Sequence, residues 1–305
     1  MRIVITGAFG FIGSHFAKYV SNLDEDIKIL VVDKCTYAAN KNNLNGITYE
    51  HLHRDICDIT ALDLGEYDYL INFAAESHVD NSIKDGKPFV RTNVEGTFNL
   101  LEIARQNPNL KKFIQISTDE VYGDMDSREL PSANENTSFK PSSYYSSTKA
   151  AADHLVQAAG RTYGLPYLIT RTCNNFGEHQ HSEKFLPTIA RSIKNDNPIP
   201  LYGDGNHIRE WIWVEDNVRM VYDLMISDIG IWNIGSGDSW TNKKIIEEVG
   251  LILNKKADFK YVDDRLGHDA RYTIDISKLE YHYNTNNLTT KDIRKFLLER
   301  FGSSN

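Results

Sequence analysis

The chain has 305 residues, 41% hydrophobic and 25% charged, with a formal net charge of -8. It is long enough to bury a core unaided, and its acidic balance gives no attraction for a phosphate backbone, so no nucleic-acid partner is expected. Three widely spaced cysteines (Cys35, Cys57, Cys173) without CxxC, ten histidines without HxxxH or HExxH, and no apolar run near ~18–20 residues argue against a disulfide framework, a metal site and a membrane span.

In chain order, Arg2–Thr6 reads as a strand rather than a signal peptide, and Phe11–Ser21 as a helix. Ile27–Val32 is a second strand, Ile47–His51 a third and Tyr69–Phe73 a fourth. Ile83–Gln106 reads as one long helix. Phe113–Ser117 is a fifth strand, Ser143–Tyr163 a second long helix, and Tyr167–Arg171 a sixth strand. Apolar strands separated by helices predict a Rossmann-type, doubly wound α/β fold with a parallel sheet covered on both faces. Beyond residue 175 the chain mixes short helices, isolated strands and turns such as Gly203–Asp204–Gly205. Residues 1–175 are therefore read as the dinucleotide-binding domain. Residues 176–305 are read as a smaller α/β substrate-binding region, with a soft boundary and some segments returning to the sheet. The default compartment is the cytoplasm.

Gly7, Gly10 and Gly13 form GxxGxxG directly after the first strand. Glycines there permit a tight turn and bring a pyrophosphate close to backbone, and the next helix offers its N-terminal amides to the anion. A glycine triplet alone is weak evidence; the strand before and helix after make it specific. Asp33 follows at the end of strand two, twenty residues past Gly13. A carboxylate there hydrogen-bonds ribose hydroxyls and repels a 2′-phosphate, which favours NAD over NADP, although the adjacent Lys34 pulls the other way. Asp55 and Ile56 follow the third strand. Phe73, Ala74 and Ala75 end the fourth, where small residues let backbone meet the cofactor. Phe11, Ile12, Lys34, Thr36 and Thr92 complete the expected cofactor set.

Tyr145 and Lys149 make a YxxxK that sets both side chains on one helix face. An ammonium beside a phenol stabilises phenolate, so the tyrosine can take a proton from a hydroxyl while hydride leaves the same carbon. The preceding strand ends in Ser117 and Thr118. Further landmarks are GAFGFIGSH (7–15), NFAAESHVDNSI (72–83), TNVEGTFNLLE (92–102), STDEVYG (117–123), PSSYYSSTKA (141–150), NNFG (174–177), PLYGDG (200–205), REWIWVED (209–216), NIG (233–235) and DRLGHDARYTID (264–275). Through these ordered motifs nearly the whole chain resembles the extended short-chain dehydrogenase/reductase family, and within it the dTDP-glucose 4,6-dehydratase family.

The resemblance implies a set of roles. Tyr145 and Lys149 take part in both cofactor binding and chemistry, and Tyr145 deprotonates the sugar 4-hydroxyl while NAD accepts hydride from C4. Thr118 polarises the resulting ketone. Glu120 removes the C5 proton, and a protonated Asp119 donates to the departing 6-hydroxyl. The carboxylate pair separates this family from 4-epimerases and decarboxylases of the same fold, because water loss needs an acid and a base. Ser77, Asn174, Lys184, Arg209, Asn233, Arg265 and His268 fall at positions that hold a nucleoside-diphosphate sugar. Trp211 and Trp213 lie in the same motif and read as core. The resemblance also implies a homodimer, with helices around 83–106 and 143–163 forming a four-helix bundle. Three departures stand out, one of them a short segment between Gly123 and Pro141 that would open the site. Tyr144 precedes the catalytic tyrosine where the family has proline, and Glu178–Ser182 lacks the prolines and aromatic usual in that loop. The substrate is therefore left open among dTDP-glucose, UDP-glucose and UDP-N-acetylglucosamine, with or without inversion at C5. A 4-epimerase or decarboxylase, and a non-catalytic NAD-binding regulatory protein, are the competing readings.

Overall fold

The computed structural model describes residues 1–125, 131–237, 239–264, 266–283 and 293–301. Its strands are β1 (Arg2–Thr6), β2 (Lys28–Val32), β3 (Glu50–Leu52), β4 (Tyr69–Asn72), β5 (Lys112–Thr118), β6 (Tyr167–Thr172), β7 (Asn174–Phe176), β8 (Ile199–Tyr202), β9 (Ile208–Trp213), β10 (Gly230–Ile234), β11 (Ser239–Thr241), β12 (Phe259–Val262) and β13 (Arg271–Tyr272). Its α-helices are α1 (Phe11–Leu23), α2 (Ala61–Leu64), α3 (Val79–Lys84), α4 (Lys87–Phe89), α5 (Thr97–Ala104), α6 (Tyr144–Tyr163), α7 (Phe185–Lys194), α8 (Val214–Ser227), α9 (Asn242–Ile252), α10 (Ser277–His282) and α11 (Ile293–Phe301).

Seven strands form one sheet in the order β3-β2-β1-β4-β5-β6-β10, and every pairing is parallel. Alternation along each strand feeds two cores. Ile3 and Ile5 of β1 and Ile29 and Val31 of β2 enter one cluster, under α1 and α8. Val4, Leu30 and Val32 enter the other, on the opposite face with Leu100, Leu101 and Val156. Both faces are thus apolar, which is why these strands read as continuous hydrophobic runs.

The segment expected as one helix over Ile83–Gln106 differs. It starts earlier, at α3, breaks at Asp85–Gly86 and restarts at α4 with Pro88 in the first turn. It then widens into a π-helical stretch over Val90–Gly96 before α5. Proline cannot donate to the preceding turn, so a restart there is natural. The wide stretch aims Thr92 and Asn93 inward, and Asn93 donates to Thr148 Oγ1 of α6 at 3.0 Å. A periodicity argument cannot see a π stretch, because its side-chain spacing differs from 3.6 only locally.

Residues beyond 175 contribute to both regions. β10 returns to the edge of the large sheet beside β6. β9 is the centre of a four-stranded sheet with β7, β11 and β13, and β8 pairs with β12. A separate core of Phe176, Leu186, Ile189, Trp211, Trp213 and Ile245 holds this lobe together. Both tryptophans are buried, as their place in an apolar strand suggests. No described helix is long and apolar enough to cross a membrane.

Candidate active site

Strand order reverses between β1 and β4. The ends of both strands open there into a cleft of about 400 Å³, within the range of small-molecule sites. Such a switch point is where open α/β sheets take ligands. Gly7 has φ +68°, and a Cβ on it would lie 2.7 Å from the Ala74 nitrogen. A Cβ on Gly13 would lie 2.6 Å from the Gly7 carbonyl oxygen. Glycine at both places lets α1 begin directly against the turn. No side chain caps α1, so its first amides face the cleft as donors for an anion.

The expected cofactor residues converge here. Gly10, Phe11, Ile12, Thr36, Ile56, Phe73, Ala74 and Ala75 all line the cleft. Asp33 directly follows β2 and accepts from the Phe9 and Cys35 amides at 3.1 and 2.8 Å. Lys34, Asp55 and Thr92 line the cleft as well. Lys34 Nζ donates to Thr92 Oγ1 at 3.1 Å and Asp55 Oδ2 at 3.5 Å, and lies 3.9 Å from Glu76 Oε1. Two carboxylates therefore offset its charge, which weakens any attraction for a 2′-phosphate. The dinucleotide fits this donor set.

At the floor, Ser143 caps α6 by accepting from the Ser146 amide, and Ser146 answers in a reciprocal box. That cap fixes where the helix starts, and hence where Tyr145 and Lys149 point. Both line the cleft with Thr118, Glu120, Ser77, Asn174 and Lys184. Lys149 Nζ donates to the Ile116 carbonyl at 2.5 Å, and burial pulls its pKa down to about 8. The phenol of Tyr145 is pushed up, first by burial and then by Glu120, while a hydrogen bond with Thr118 pulls it down. Burial dominates the shift, with the Glu120, Asp119 and Asp153 carboxylates adding to it.

Asp119 is fully buried and its pKa is raised to about 8, by burial first and then by Glu120 and Glu210. Thr118 Oγ1 donates to its Oδ1 at 3.1 Å, and its Oδ2 has no partner among the described residues. It lies beneath the cleft wall that Thr118 and Glu120 form rather than on it.

Several expected substrate residues sit away from this wall. Asn233 is wholly buried. It accepts from Tyr122 Oη at 2.7 Å and donates to the Ala133 and Asp275 carbonyls at 2.9 and 3.1 Å. Its amide is spent on the fold, which corrects its assignment as a substrate contact. Arg209 is buried, donates to the Ile208 and Asp269 carbonyls at 2.8 Å each, and lies over the Tyr272 ring. His268 takes Asp264 at 2.6 Å and stacks on His207 at 3.8 Å. Arg265 lies outside the described residues. Although no metal was expected, His207, Asp264 and His268 come together with potential ligand atoms within 4.8 Å. An imidazole binds a metal in its own plane, and two face-to-face rings do not aim at one ion, so the trio reads as a hydrogen-bonded stack.

Sequence reasoning missed a clasp over the cleft. Tyr37 Oη donates to Glu183 Oε1 at 3.1 Å, and Lys184 Nζ to the Ser77 carbonyl at 3.3 Å. His15 Nε2 meets the Glu178 carbonyl at 3.0 Å, and His181 packs edge-on against Tyr37. The loop 178–184, whose departure from the family pattern was the only signal, is thereby fastened to the opposite lip. Glu210, which accepts from the Ser236 and Gly237 amides at 2.9 Å, was also missed.

Comparison with known proteins agrees with this geometry. Residues 3–235 match the NAD dependent epimerase/dehydratase family. The low-salt glycan biosynthesis protein Agl12 of Haloferax volcanii is 43% identical, over 91% of this chain and 91% of its own. A dTDP-glucose 4,6-dehydratase of Haemophilus influenzae is 40% identical, over 92% and 91%. The crystal structure of DesIV, a dTDP-glucose 4,6-dehydratase from Streptomyces venezuelae with NAD and TYD bound, superposes with a TM-score of 0.89 at 35% identity. That match covers 98% of this chain and 95% of that one.

Proposed function

The chain belongs to the NAD dependent epimerase/dehydratase family, and on that premise we propose that it is an NAD-dependent nucleoside-diphosphate-hexose 4,6-dehydratase, a hydro-lyase whose product is a 4-keto-6-deoxy sugar nucleotide. The observation that carries the reading is Asp119, a buried carboxyl held protonated near neutral pH beside Glu120, Tyr145 and Lys149. An acid next to a base is what elimination of water requires and what epimerisation at C4 does not.

In this reading Tyr145 takes the proton of the sugar 4-hydroxyl, and Lys149 holds the ribose side of the cofactor. NAD, held by the Gly7–Gly13 turn, Asp33 and Lys149, would supply the hydride acceptor for C4 and the hydride donor for C6, and C5 regains a proton as the hydride returns. The new 4-ketone acidifies the C5 proton, which Glu120 removes. Asp119 turns its Oδ2, which has no partner among the described residues, from beneath the wall toward the cleft and gives its proton to the 6-hydroxyl as the C6–O bond breaks. Thr118 steadies the 4-oxygen. Asn174, Lys184 and Ser77 lie where the nucleoside-diphosphate portion enters, with Arg209 behind them.

The relatives favour dTDP-glucose as the donor; UDP-glucose and UDP-N-acetylglucosamine are the alternatives, and C5 inversion depends on the face of reprotonation. We further infer a homodimer through α5 and α6, a cytoplasmic setting that suits the three free thiols, and a place in making rhamnose-type deoxysugars. Incubation of the purified protein with each donor, followed by mass spectrometry, tests the function. Loss of one water from a donor is the expected result. An unchanged mass with a C4 epimer formed points to an epimerase instead, and NAD binding without turnover to a non-catalytic role.

A further inference from the structure

We infer that Asp269 is a positioning residue that sets the start of the catalytic helix against the lobe that receives the nucleotide sugar; this rests on the dehydratase reading. Asp269 is buried, and both carboxylate oxygens are engaged. Ser142 Oγ donates to Oδ1 at 2.6 Å. Tyr272 Oη donates to Oδ2 at 2.5 Å. Its backbone carbonyl accepts from Arg209 Nη2 at 2.8 Å. One residue therefore joins three segments.

Each segment bears on the chemistry. Ser142 immediately precedes Ser143, the cap of α6, and Tyr145 lies in the first turn of that helix. Tyr272 lies on β13 beside Arg209 of β9, and the Arg209 guanidinium sits 4.3 Å from the centre of its ring. Tyr272 is close enough to Glu120 for that carboxylate to push its phenol up, after burial. The backbone is also close-fitting here: a Cβ on Gly267 would lie 2.5 Å from the Ser142 carbonyl oxygen. Both oxygens accept hydroxyl protons, and Asp269 is buried away from the cleft lining rather than facing a substrate. Its part is to fix the distance between the phenol on α6 and a sugar held by the lobe. Reacting groups tolerate little error there, since a displacement of about 1 Å can cost roughly 10²-fold in rate.

Asp269→Asn keeps the size but replaces one acceptor with an NH₂ donor, so one hydroxyl loses its partner. The test compares the wild type, Asp269→Asn, Ser142→Ala and the double variant for water elimination, NAD affinity and thermal midpoint. The expected result is a fall in kcat of roughly 10–10²-fold in Asp269→Asn, with NAD affinity unchanged. Ser142→Ala should lose part of that rate, and the double variant should lose little more than Asp269→Asn, because the two residues share one contact. Turnover in Asp269→Asn within about threefold of the wild type overturns the role, as does rate loss accompanied by equal loss of NAD binding and folding, which marks a purely structural residue. A wild type that eliminates no water from any donor overturns the dehydratase reading first and this role with it.

Discussion

The Asp119 carboxyl has no exposed oxygen to keep it charged, and Glu120 beside it adds repulsion. Its ordinary value of 3.8 becomes about 8 in the folded chain. The sign of the stability effect follows. Between those values the unfolded chain has released the proton and the folded chain retains it. The folded state therefore binds more protons, and its stability falls as pH rises through that window. Asp119→Asn removes the penalty. The variant should melt above the wild type, by a margin that widens up to about pH 8, as thermal scans across pH would show. Its dehydratase kcat should fall by about 10²–10⁴-fold, the usual contribution of a placed acid. Wild-type turnover should decline as pH rises past about 8, when the acid is lost. Full activity in Asp119→Asn would assign the acid elsewhere. At this scale the sequence was most readable where a residue type is dictated by backbone or by chemistry. Gly7 and Gly13 are required by contacts too close for any Cβ. Asn233 was not readable, because an amide that binds a sugar and one that ties Tyr122 to Ala133 look alike in a motif.

Helix α6 carries Tyr145, Lys149 and Asp153 four residues apart on one face. Asp153 meets Arg171 of β6 at 2.9 Å, with both side chains out of solvent, and Arg171 also donates to Tyr122 Oη at 2.9 Å. A buried pair adds little net energy while intact, but losing one partner strands the other charge. Asp153→Ala should therefore lower stability by about 3–5 kcal/mol in urea unfolding. A loss under about 1 kcal/mol would mean that Arg171 finds another partner. The helix expected over Ser143–Tyr163 fell within a residue of the observed start of α6. The one expected over Ile83–Gln106 was not legible, since Gly86, Pro88 and the π stretch obey local geometry that averages out over a long window. The lobe beyond residue 175 was legible only as fragments. Its strands are short, and pairings such as Asn174 with Trp211 join residues far apart in sequence.

As a whole, the molecule is a parallel sheet with a second lobe standing on its C-terminal edge, and some of its surface remains apolar. Phe98 on α5 is 54% exposed and Tyr163 at the end of α6 is 60% exposed. These helices lie side by side on one face, the face proposed to meet a second copy. Phe98→Arg should shift the protein to a monomer in light scattering, because a buried interface does not accept an unpaired charge. A wild-type monomer would remove the dimer. The clasp has a consequence of a different kind. A loop fastened across the cleft at Tyr37, Ser77 and His15 has to release those three contacts before it can swing clear of whatever lies beneath it. A redox carrier that takes a hydride and returns it to the same sugar is regenerated within each turnover, so net consumption of nicotinamide coenzyme is nil, and a carrier held under the loop would keep catalysis insulated from the oxidised-to-reduced ratio of the surrounding pool.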